Sequence, residues 1–149
     1  MGVVEQPPKT YVGIIDSGAD EHAAGLQVYR SLQEVQKMAP GSMQAVSAFG
    51  EERDVLCVGD LNAYVRGVHI IEGAETLYSV KRFAEDGMWT IIPPRGMYEF
   101  GVYVVSHKER RVVMRGDDNF IVDPTISVPR DLPKVELPLL PAEDGLTLK

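Results

Sequence analysis

One cysteine, Cys57, stands in 149 residues, so the chain cannot form an intramolecular disulfide and has no cysteine pair to seed a zinc site. Cations are outnumbered: 15 Lys and Arg against 22 Asp and Glu give a formal charge of −7 and a pI near 4.9. That balance argues against a nucleic-acid backbone or an anionic membrane as the main partner, since both reward clustered cations. The short basic run KERR, Lys108 to Arg111, lies between apolar segments and is expected as a solvated hairpin turn. No apolar run approaches the roughly 18 residues of a membrane span. The first residues lack the basic and apolar regions of a signal peptide, and MGVVEQ has Gln6 where a myristoylation signal needs Ser or Thr. His22, His69 and His107 are far apart and show no ligand spacing. The expectations are a reducing, cytoplasmic setting, no metal, no cofactor, no direct nucleic-acid contact and no membrane.

With 44% hydrophobic residues, the chain is long enough for one domain with its own core. Segments rich in Val, Ile, Tyr and Phe run over Tyr11–Ile15, Gln44–Phe49, Val55–Val58, Ala63–Ile71, Trp89–Ile92, Tyr98–Val105, Arg111–Met114 and Phe120–Val122. Gly, Pro and Asp turns separate them, the pattern of a mainly β sandwich or small barrel. Two stretches differ. Thr76–Gly87 sets Leu77, Val80 and Phe83 or Ala84 on one helical face and closes on Gly87, a helix stop. Leu26–Met38 has helical spacing too, but reads equally as an irregular loop. From Pro124 onward five prolines prevent ladders and helices. The chain therefore divides into an N-terminal arm over 1–10, a domain over 11–123 and a Pro-rich tail or linker over 124–149.

YVGIIDSGADEH, Tyr11 to His22, drives Asp16 to the end of an apolar strand and follows it with small residues. A buried carboxylate costs several kcal/mol unless it is paired, hydrogen-bonded or protonated. Asp-Ser-Gly after a strand is a common turn. It is also the form of an aspartic-protease site, in which a strand delivers the carboxylate and Gly18 and Ala19 let a substrate backbone pass close by.

Further segments bear on that choice. GVHIIEGAETLYSVKRFAEDGMWTII, Gly67 to Ile92, resembles the second half of a retropepsin, with two apolar strands and then a short helix. Leu77-Tyr78-Ser79-Val80 falls where copia-type retrotransposon proteases carry Asn-Leu-Leu-Ser-Val. GVYVVSHKERRVVMRGDDNFIVD, Gly101 to Asp123, is similar to the stretch that follows the protease in those polyproteins, and His22 matches a histidine that often follows their Asp-Ser-Gly-Ala. The chain thus resembles the retropepsin-like aspartic protease domain of a copia-type polyprotein. It departs from the retroviral pattern where Ser79 and Val80 replace Gly and then Arg or Asn, so support for the active-site loop is absent or comes from elsewhere.

The resemblance implies a small closed β barrel with one or two short helices, and a homodimeric endopeptidase that cleaves its own retroelement polyprotein. Asp16 from each subunit would activate water. Ser17 would hydrogen-bond across the twofold axis, Gly18, Ala19 and Asp20 would line the cleft, and the Asp16 loop would lie close to the C-terminal end of the strand containing His69–Ile71. A hairpin over Val46–Asp54, with Phe49 and Gly50 at its tip, would be the flap; its plain alternative is a surface turn. The second functional class is a retropepsin-like β domain that has lost catalysis and serves in assembly or peptide binding.

Overall fold

The computed structural model describes residues 11–47, 49–94 and 101–122; the arm over 1–10 and the tail from Pro124 lie outside them. The described chain is mainly β, in the order β1 (Gly13–Asp16), β2 (Ala23–Ala24), α1 (Leu26–Tyr29), β3 (Gln33–Lys37), β4 (Gln44–Val46), β5 (Glu52–Asp54), β6 (Cys57–Asp60), β7 (Val68–Ile70), β8 (Leu77–Ser79), α2 (Val80–Glu85), β9 (Met88–Ile91), β10 (Val102–Ser106), β11 (Arg111–Gly116) and β12 (Ile121–Val122).

Ten strands share one sheet in the order β3-β6-β7-β2-β8-β1-β12-β11-β10-β9, and β4 and β5 pair separately. The closed barrel expected from the sequence is therefore not formed among the described residues: β3 and β9 are the two ends of the ladder and do not pair with each other. Strands far apart in that order nevertheless share one core. A single apolar cluster draws Cys57 from β6, Ile70 from β7, Tyr78 from β8, Ile15 from β1, Met114 from β11 and Val104 from β10, and Phe83 of α2 is buried with them. A smaller cluster of Tyr103, Val105 and Val112, with Trp89 and Ile91 against it, occupies a separate position on β9–β11.

β1 lies inside the sheet, parallel to β8 and antiparallel to β12. Its approach to β8 is tight enough to require glycine at its first position. A Cβ on Gly13 would stand 2.8 Å from the Thr76 carbonyl oxygen and equally close to the Tyr78 ring. Tyr78, pinned under β1, donates its hydroxyl to the Tyr11 carbonyl at 2.6 Å and accepts from the Tyr11 amide at 3.1 Å; burial pushes that phenol up to about 12.

The helix expected over 76–87 is shorter than its apolar spacing suggests. Leu77, Tyr78 and Ser79 pair in register with Ile14, Ile15 and Asp16 instead, because a strand in that place covers β1. The helix begins after Ser79 and gives way to Asp86 and then Gly87 at φ +81°. In the ambiguous 26–38 segment only Leu26–Tyr29 is helical. Gln33–Lys37 joins β6 as an exposed edge strand with a register shift, and Glu34 takes φ +52°. Lys108–Arg110 form the exposed turn between β10 and β11, as expected, and Arg111 opens β11.

Candidate active site

Asp16 closes β1, half-buried, with Ser79 as its register partner on β8. The Gly18 amide donates to Asp16 Oδ1 at 2.7 Å, the bond of an Asx turn. Ser17, Gly18 and Asp20 are exposed and Ala19 is half-buried. A Cβ on Gly18 would come within 3.3 Å of the carboxylate oxygen, so a small residue keeps that oxygen approachable. This local geometry serves both the turn and the protease reading of Asp-Ser-Gly. The distinguishing feature is how firmly the rest of the loop is held.

Ser79 is the hub of that hold. Its hydroxyl donates to the Ala19 carbonyl at 2.6 Å and accepts from the Arg82 amide at 3.0 Å, capping α2. Its own amide donates to His22 Nδ1 at 2.8 Å. One buried residue thus sets the strand register at Asp16, the start of the helix and both ends of the loop.

Charges clamp the remaining loop residues to α2. Lys81 Nζ reaches Asp20 Oδ1 at 3.1 Å, an exposed pair that contributes little. Arg82 is less exposed and forks, with Nη1 at 3.1 Å from Glu21 and Nε at 3.0 Å from Asp86. Its guanidinium also lies against Gly67, whose φ is +67° and where a Cβ would stand 2.8 Å from Arg82 Nη1 and push the guanidinium aside. Arg82 thus ties the loop to α2 by an ion pair. Sequence reasoning did not single out Ser79, Lys81 or Arg82 for this role; the signal available was an acidic pair, Asp20-Glu21, and a basic pair, Lys81-Arg82, flanking a strand–helix corner.

His22 is fully buried, edge-on to Phe83 at 4.6 Å and to Tyr78 at 6.2 Å between ring centroids. Because Nδ1 accepts the Ser79 amide, the neutral ring carries its proton on Nε2, which has no hydrogen-bond partner among the described residues. Burial first, and then the Arg82 charge, lower its pKa to about 4. The His22 carbonyl accepts from the His69 amide at 2.8 Å. The strand holding His69 therefore meets the far end of the loop, while the neighbour of Asp16 itself is β8, because β2 intervenes between β7 and β8.

The β4–β5 hairpin is a local structure. At its turn Ser47 Oγ accepts from the amides of Phe49 and Glu51, and Gly50 takes φ +79°. Phe49 is 98% exposed and Val46 66%. At the base, Arg53 donates to the Glu72 carbonyl at 3.2 Å and the Val55 amide to the Met43 carbonyl at 2.9 Å. A recess of about 300 Å³ beyond the C-terminal end of α2, lined by Tyr64, Asp86, His107 and Glu109 among others, includes none of residues 16–20. Among the described residues no three His, Cys, Asp or Glu side chains gather as a metal site, and no helix is long and apolar enough to cross a membrane. No protein-family model, curated protein or solved structure matches the chain.

Proposed function

We propose that this chain is an aspartic endopeptidase of the retropepsin type, active as a homodimer and acting on a polypeptide such as the retroelement polyprotein that would contain it. The observation that carries the reading is the loop after Asp16. A strand delivers the carboxylate, a glycine amide orients it, and Ser79 and Arg82 hold Ala19, Glu21 and His22 of the following loop. A plain Asx turn needs none of that outer support. On this reading the ten-stranded sheet is a retropepsin-type fold whose barrel is not closed among the described residues.

The chemistry requires two carboxylates, and the sequence has one Asp-Ser-Gly, so the second Asp16 comes from a second copy across a twofold axis. Two carboxyl groups that close share one proton and titrate as a unit. The ionised member removes a proton from water as the water oxygen bonds to the scissile carbonyl carbon. The protonated member gives its proton to the carbonyl oxygen, so a neutral gem-diol forms with no covalent link to the enzyme. Its collapse breaks the C–N bond as a carboxyl proton passes to the departing nitrogen and a gem-diol hydroxyl returns its proton to the other carboxylate, so the pair again shares one proton. Ser17 faces the twofold axis, Gly18 and Ala19 border the substrate backbone, and the peptide lies as an added strand. The β4–β5 hairpin closes over it as the flap, with Phe49 covering the peptide.

The test is cleavage of an unstructured peptide mixture at mildly acidic pH, with the oligomeric state measured by sedimentation on the same sample. A dimer whose cleavage is blocked by a statine-type transition-state mimic is the expected result. A well-folded dimer with no cleavage would favour the second class, a retropepsin-like domain kept for assembly or peptide binding.

A further inference from the structure

We propose that His22 is an acid-sensitive latch on the Asp16 loop, its neutral ring holding the Ser79 amide and its protonated ring releasing it. Nδ1 is the acceptor of that amide at 2.8 Å, and an imidazolium has no acceptor to offer. Protonation would set one N–H against another at the residue that also caps α2 and binds the Ala19 carbonyl. The new charge would have nowhere to go. The ring is completely buried beside Phe83 and Tyr78, and Nε2 has no partner among the described residues. The charged and titratable groups that face it are Arg82 and Asp86 from α2, His69 from β7 and Tyr78 from β8. Asp86, the one counter-charge among them, is already bound by Arg82, which also holds Glu21.

The direction of the pH effect follows from the depressed pKa. The unfolded chain takes up the His22 proton near 6.5 and the folded chain near 4, so this contribution is fully present above about pH 6.5 and is lost as pH falls toward 4. From well above pH 6.5 to well below pH 4 the folded-to-unfolded ratio drops roughly 300-fold in all on account of His22, and about 80-fold of that falls between pH 6.5 and 4. The consequence for catalysis rests on the protease reading: the latch would set an acid limit on activity separate from the titration of the carboxylate pair.

The experiment follows the His22 ring and the Ser79 amide by NMR from pH 7 to 3, beside acid unfolding of the wild-type protein and of His22→Asn. An asparagine Oδ1 stands near the place of Nδ1 and accepts the same amide without titrating. The expected result is a ring titration near pH 4 that moves the Ser79 amide with it, and a His22→Asn variant whose stability falls far less between pH 6.5 and 4. A ring that titrates near 6.5 with the Ser79 amide unmoved would overturn the latch, as would an undiminished loss of stability in the variant over that pH range. If His22→Asn does not fold, the wild-type titration decides alone. No step needs cleavage, so failure of the latch and failure of the protease reading are separately visible.

Discussion

The corner made by residues 16–22 and 79–86 and the hairpin over 44–54 are built in opposite ways. In the corner every residue from Ala19 to His22 has a partner on the β8–α2 turn, through Ser79, Lys81 or Arg82, and contacts bridge about sixty positions of sequence. In the hairpin the turn is knotted by Ser47 to its own neighbours, both strands are largely exposed, and the ties to the rest of the chain sit at the base. Local stability follows long-range burial and bonding. One region is therefore tied across the fold, while the other is held mainly by its own bonds.

Removing the hub should blur this contrast most. Ser79→Ala deletes the helix cap and leaves the Ala19 carbonyl without its donor, and should cost about 2 kcal/mol in chemical denaturation. Amide exchange in residues 17–22 should rise toward that of the hairpin. Arg82→Ala releases Glu21 and Asp86 while Ser79 stays, and with Arg82 partly exposed the loss should be about 1 kcal/mol, with faster exchange confined to residues 20–22. The other side of the comparison should barely register: Phe49→Ala is expected to change stability by less than about 0.5 kcal/mol. If the hairpin is a flap, the same variant weakens peptide cleavage mainly through KM.

Much of the framework was legible in the sequence because its signals are local. The β10–β11 hairpin has two apolar runs around KERR, and the end of α2 is written in Gly87. What escaped was decided by pairing. Leu77–Ser79 carries helical spacing, yet its place beside β1 is worth more as a strand, and Gln33–Lys37 became a strand because β6 offered an edge. Closure of the barrel could not be read either, since it depends on whether β3 and β9 meet. Within the site, the Asp16 turn was visible as a motif, whereas Ser79 is an ordinary serine until the fold brings Ala19, Arg82 and His22 to it.

The most direct measurement of the central claim is peptide cleavage by Asp16→Asn, purified free of other proteases, beside the wild-type protein. An amide cannot serve as the base, so the rate should fall at least ~100-fold, with fold and dimer retained or strengthened as like charges are removed from the axis. Undiminished cleavage by Asp16→Asn would take Asp16 out of the mechanism and contradict the account.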